Sequence, residues 1–217
     1  LAQVSKLPVI AGRPVILADT QDNPGGGGTS DTTSLLKALI ERRVPRVLAG
    51  LMCDPAAALR AREAGIGAQI DLELGAHSGP VGESPIVSRF EVEALGDGKF
   101  TATGPFYSGA RMDLGPMALL RIGDVRIAVS SRKQQAADRA MFRHLRVDPQ
   151  DFACLALKSS VHFRADFGPL ANRVLVVEAP GANIADPGKL RFSKLDPQMR
   201  VAGSTQRLRS SDSLMLR

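Results

Sequence analysis

The sequence predicts an α/β fold: a mostly parallel sheet flanked by helices, with a β-rich antiparallel insertion in the middle third. Three observations point there. Short, largely apolar runs at residues 15–18, 46–52, 153–157 and 173–177 have the unbroken hydrophobicity of strands covered on both faces. Between them lie segments with helical spacing and helix start signals. Over residues 68–122 the texture changes to polar–apolar alternation, the mark of strands with one solvated face.

The first apolar run stops at Asp19, Asp22, Asn23 and Pro24, residues that turn the chain and resist strand pairing. Gly25, Gly26, Gly27 and Gly28 follow, and without Cβ atoms they admit left-handed angles and close approach of a ligand. Ser30 and Asp31 offer capping oxygens to a helix on which Leu35, Leu36, Leu39 and Ile40 share a face. Residues 46–52 form a second strand; Asp54 with Pro55 then starts a helix, and Gly65 stops it. Alternation at 69–74 and 89–95 leads through Asp97-Gly98, a hairpin signal, into residues 99–103. Strands at 118–122 and 125–130 flank a tight turn at Gly123-Asp124. The Gly- and Pro-bounded loops 75–80 and 104–109 read as lids or connectors.

The α/β texture returns with a strand at 127–131, a helix-like segment at 134–145 and a strand at 153–157. After Lys158, Ser159 and Ser160 comes a short helix that sets His162 and Asp166 four residues apart. That spacing suits a carboxylate orienting an imidazole and suits an ordinary surface ion pair equally. The last strand covers 173–177. The domain reading is a single α/β domain over residues 1–202, with 68–122 as its insertion, and a Ser- and Arg-rich mobile tail over 203–217.

Composition excludes several classes. With 44% apolar residues in 217, the chain can bury a full core. The net charge of +6 comes from scattered basic residues, and one Tyr, no Trp and eight Phe leave little to stack on bases, so nucleic acid is not an expected partner. No run has the length of a membrane span, and residues 1–10, broken by Lys6 and Pro8, do not read as a signal peptide. Two cysteines, Cys53 and Cys154, without a CxxC pair, fit a reducing, cytoplasmic compartment. Only His77, His144 and His162 supply imidazoles, so no metal site is expected on this chain.

In a parallel sheet all strand carboxyl ends share one edge, where α/β proteins bind ligands. That edge would gather Asp19, Asp22, Asn23 and the glycines, Asp54, Ser131 with Arg132, and Lys158, Ser159, Ser160 and His162. A Gly-rich loop entering a helix also has the chemistry of an anion cradle, because the first helical turn carries free N–H groups. It matches neither familiar phosphate fingerprint: no Lys follows the glycines, and Ser30 stands where a dinucleotide motif has its last Gly. With no G-x-S-x-G and no HExxH, the set reads as a binding or orienting surface.

Three stretches, Pro14-Val15-Ile16-Leu17-Ala18-Asp19 with Asp22-Asn23-Pro24-Gly25-Gly26-Gly27, then Arg111-Met112-Asp113-Leu114-Gly115-Pro116, then Lys158-Ser159-Ser160-Val161-His162-Phe163-Arg164, together resemble the carboxyl-terminal domain of the microcystinase C family of metallopeptidases. The resemblance covers most of residues 13–195. It implies a zinc peptidase or amide hydrolase in two parts, with zinc and its ligands on an amino-terminal domain absent here and this domain walling the cleft. It implies catalytic roles for His162 and Asn23 and substrate binding by Asp22, Gly25, Gly26, Gly27, Ser159 and Ser160, to which the edge argument adds Arg132. The partners implied are that amino-terminal domain and a peptide or small amide substrate, and a homo-oligomer is compatible with it. The sequence departs from the family pattern at Ser30, where a Gly is expected, and at Met52-Cys53, where an aromatic residue is common. The rival readings are a stand-alone module that binds a small anion and a scaffold that uses its basic face.

Overall fold

The computed structural model describes residues 10–78 and 83–196; the tail expected at 203–217 lies outside them. By internal contacts the chain divides into Leu1–Asn183 and Ile184–Arg217. In the second unit the described residues include a 3-10 turn, Pro187–Lys189, capped by the side chain of Asp186.

The first unit is built on an eight-stranded sheet. Its strands are β1 (Val15–Asp19), β2 (Val47–Cys53), β3 (Gln69–Leu74), β4 (Ile86–Gly96), β7 (Met117–Ile122), β8 (Val125–Ser130), β9 (Cys154–Leu157) and β10 (Arg173–Val177), and a separate two-stranded ribbon pairs β5 (Lys99–Thr101) with β6 (Arg111–Asp113). The order is β10-β1-β9-β2-β8-β7-β4-β3; the first five are mutually parallel and the last three continue antiparallel. The expected α/β class is therefore present, and the antiparallel middle third extends the main sheet.

Apolar alternation within the parallel strands fills both faces. Val15 and Leu17 enter one core while Ile16 and Ala18 enter the other, which is why the run contains no polar residue before Asp19. The first core is covered by α1 (Ser34–Glu41), through Leu35, Leu36 and Leu39, and by α2 (Pro55–Ala64). Helix α2 buries only alanines, Ala57, Ala58 and Ala61, so its backbone lies close to the strands. The second core is closed by α3 (Ala140–Arg143) and α4 (Arg164–Phe167), with Phe142, Phe163 and Phe167 fully buried. Among the described residues no helix is long and apolar enough to cross a membrane.

Asp54 caps α2 through the Ala57 N–H at 2.9 Å, and Gly65, at φ +86°, ends it, as the sequence predicts. Other expectations are corrected. The Asp97-Gly98 turn does not fold β4 onto β5; the hairpin lies between β5 and β6, and β4 pairs with β3 and β7. The helix expected over 134–145 shrinks to α3, because Asp138 turns back to accept the Ala140 N–H at 2.8 Å and the preceding residues wrap irregularly over the core. Helix α1 is not capped by Ser30 or Asp31. Glu83, far along the chain, accepts the N–H groups of Thr33 and Ser34 at 2.8 and 3.1 Å and both of their hydroxyls.

Burial acts to raise the Glu83 carboxyl, but the hydrogen bonds from Ser34 and Thr33 outweigh it and hold it below the usual range. The stabilisation it brings is present above about pH 4.3, the unfolded value, and is lost as the pH falls through the lower folded value. Replacement Glu83→Ala is expected to cost about 1–2 kcal/mol in denaturant unfolding at neutral pH, with the difference from the parent chain shrinking in acid.

Candidate functional site

The carboxyl ends of β10, β1, β9, β2 and β8 share one edge of the sheet, and the polar junctions gather there. At its base Lys158, which follows β9, is buried and donates to Asp19 at 3.2 Å, to Asp22 at 2.6 Å and to the carbonyl and hydroxyl of Thr32 at 3.0 and 3.1 Å. Asp22 also accepts the Thr29 hydroxyl, the Ser30 N–H and both the N–H and hydroxyl of Thr32. The β1–α1 loop is thus folded around one carboxylate. Burial pushes both acids up, yet Lys158 and Thr32 overcome this at Asp22 and hold it low, while Asp19 stays raised. Burial alone would lower Lys158; the two carboxylates outweigh it and raise it. The positive charge that Asp19 and Asp22 face is thus supplied by the chain itself.

Above this base, Asn23 caps the 3-10 turn Pro24–Gly26 by accepting the Gly25 N–H at 3.0 Å. Its amide donates to Ser160 Oγ at 3.0 Å, and Ser160 donates to the Thr20 carbonyl at 3.2 Å. The remaining loop N–H groups are also used internally: those of Gly26 and Gly28 on the Asn23 carbonyl and that of Gly27 on the Pro24 carbonyl. The anion cradle read from the sequence is therefore absent, since the loop donors are spent and the first turn of α1 holds the Glu83 carboxylate. What the glycines supply is space. A Cβ on Gly28 would lie 2.6 Å from the Asp22 backbone, one on Gly26 2.4 Å from the Asn183 amide, and one on Gly25 2.8 Å from Gln135 Oε1.

Gln135 joins the loop to His162. Its Oε1 faces His162 Nδ1 at 3.1 Å, and its amide nitrogen donates to the Tyr107 hydroxyl at 3.0 Å. The His162 ring stacks on Phe106, with centroids 4.0 Å apart and planes 19° from parallel, and Tyr107 meets Phe106 edge-on. Burial raises the Tyr107 phenol, against the lowering effect of its Gln135 bond. Gly25, Gly26, Gly27, Val161, His162 and Phe106 are exposed, so the assembly presents one surface made of three loops.

The predicted residues divide accordingly. Asn23, Gly25, Gly26, Gly27, Ser160 and His162 are neighbours linked directly or through Gln135. Asp22 is fully buried and saturated, so it builds the loop and offers nothing to a substrate. Ser159 is buried too, its hydroxyl unpartnered. Arg132 turns to Asp113, with an ion pair of 2.8 Å, beside the β5–β6 ribbon. Asp166 does not orient His162; it is buried against Arg139, accepting from the guanidinium at 2.8 Å and the backbone N–H at 2.7 Å. Sequence reasoning missed Gln135 and the Phe106–Tyr107 pair, whose only signal was the Gly- and Pro-bounded loop that carries the aromatics.

Among the described residues no group of three or more His, Cys, Asp or Glu side chains converges on a point. His77 sits on Asp54 at 3.1 Å, His144 accepts the Gly98 N–H at 3.0 Å, and His162 sits on Gln135, three separate places. Neither cysteine is an activated nucleophile, because burial raises Cys53 and pushes Cys154 up to about 12.

Comparison with known proteins supplies the context for this surface. Residues 17–194 match the family model described as MlrC C-terminus. Microcystinase C of a Sphingomonas species is 32% identical over 164 residues, a match that takes in 76% of this chain and 32% of that protein. A solved structure from Mesorhizobium sp. BNC1, described as a candidate metallopeptidase, has the same fold, with a TM-score of 0.79 at 23% identity over 92% of this chain and 41% of its own. The chain thus spans about a third of the curated relative's length.

The base of the site sets a stability test. Lys158→Met leaves two buried carboxylates without their cation and is expected to cost about 3–5 kcal/mol at neutral pH. Because folding raises Lys158, its contribution is full below about pH 10.4 and is lost as the pH climbs through the folded value. Denaturant melts on an alkaline series should show that loss in the parent chain, while the variant lacks this component.

Proposed function

The chain belongs to the MlrC C-terminal family, and on that premise we propose that it is the carboxyl-terminal part of a zinc-dependent peptidase or amide hydrolase, forming one wall of the substrate cleft. On this reading the zinc is held by an amino-terminal part of the longer protein, and this part contributes side chains to the cleft alone. The observation that carries the proposal is the joining of the Gly loop, Gln135 and His162 on one exposed surface at the carboxyl edge of the parallel strands. His162 is the group on that surface able to accept or donate a proton to a bound peptide or small amide. Asn23 and Ser160 hold the loop against the segment that carries it, and Phe106 and Val161 add an apolar border. The free cysteines fit a cytoplasmic setting.

In the longer protein, His162→Ala should lower kcat by about 10²-fold with bound metal unchanged by elemental analysis. Asn23→Ala should lower turnover by a smaller factor, because it acts through the loop. Parental kinetics in the His162 variant would remove that residue from the mechanism.

A further inference from the structure

The neutral imidazole has two tautomers, and the one present follows from the hydrogen bond its second nitrogen makes. Here Gln135 stands on that nitrogen. Its carbonyl oxygen faces His162 Nδ1 at 3.1 Å, while its NH2 is occupied by the Tyr107 oxygen at 3.0 Å. A carbonyl oxygen only accepts, so Nδ1 must carry the proton. In this orientation the amide N–H is taken up by the Tyr107 oxygen, and the amide oxygen is the atom left to face the ring.

Two further contacts lock this geometry. Phe106 lies flat against the imidazole and restrains its rotation. Gly25 lies over the Gln135 amide, at a distance where even a Cβ would collide, and Gln135 is itself buried. Donation runs from His162 Nδ1 to the Gln135 oxygen and from the Gln135 amide to Tyr107, which leaves Nε2 on an exposed ring.

We propose that Gln135 is a positioning residue that holds His162 as its Nδ1–H tautomer, so that Nε2 is the one nitrogen presented to substrate and the one at which a proton is gained or released. Nδ1–H stays bonded to Gln135 in both the neutral and the protonated ring, so proton uptake at Nε2 needs no rearrangement on the inner side. A neutral His162 then accepts from a substrate N–H or O–H, and only the protonated ring donates to a substrate oxygen. The assignment deepens the cleft-wall reading, and its catalytic consequence rests on that reading; the tautomer itself does not.

The test is long-range 1H–15N correlation spectroscopy of the His162 ring in the 217-residue chain, at a pH where the ring is neutral. The parent chain should show a pyrrole-type Nδ1 and a pyridine-type Nε2. Gln135→Leu should replace this pattern by a tautomer mixture, and Gln135→Glu, which keeps an acceptor on Nδ1, should restore it. Gly25→Ala should weaken the pattern by displacing the Gln135 amide, without touching either residue of the bond. A parent spectrum with the proton on Nε2, or a folded Gln135→Leu spectrum identical to the parent, overturns the assignment; if Gln135→Leu does not fold, the parent and Gly25→Ala spectra decide it. In the longer protein Gln135→Leu should lower kcat on the order of 10-fold to 100-fold, with most activity kept by Gln135→Glu. Unchanged turnover in His162→Ala would remove His162 from the mechanism and leave the tautomer result standing.

Discussion

A single buried ammonium holds this edge of the molecule together. Lys158 lies between Asp19 at the end of β1 and Asp22 in the loop beyond it, and it also bonds Thr32 just before α1. Neither carboxylate would be tolerable in an apolar interior alone, and the cation would be equally costly without them. Their mutual dependence makes the loop a rigid base. Asp22 gathers Thr29, Ser30 and Thr32 around itself, and that fold sets the direction in which the glycines leave. The same pull explains Ser30, a non-glycine residue at φ +65°, whose strain is opposed by bonds to Asp22 and to the Leu51 carbonyl.

The glycine tetrad acts by absence of side chains. Its N–H groups are consumed within the turn, so its contribution to the site is the room it leaves for Gln135 and Asn183 on one side and for its own returning backbone on the other. A loop of this composition ordinarily suggests phosphate chemistry. Here the helix start it leads to is stoppered by Glu83, a residue from an entirely different part of the chain.

Much of the architecture was legible in the sequence. The parallel strands declared themselves by unbroken apolar runs, α2 by its Asp54-Pro55 start, and the β7–β8 turn by Gly123-Asp124. Local rules failed where a distant group satisfied a local need. Glu83 takes the place of the cap expected from Ser30 and Asp31, and Asp138 breaks a pattern in which Ala136, Ala137, Met141, Phe142 and Leu145 are all buried but not all helical. Of the candidate site, Asn23, the glycines, Ser160 and His162 were found because they flank strand ends. Gln135 was not, since an amide in an irregular segment carries no pattern, and Asp166 was misread because its partner, Arg139, lies 27 residues earlier in the chain.

The ammonium that closes the β1 loop comes from a residue 136 positions beyond Asp22. No ribosomal intermediate or clipped chain ending before β9 can therefore possess this surface: it would carry two acids destined for the interior and no counter-ion. Completion of the candidate site is tied to insertion of β9 between β1 and β2, a long-range event that entropy makes late. Assembly of the candidate site and completion of the central sheet thus arrive in one step.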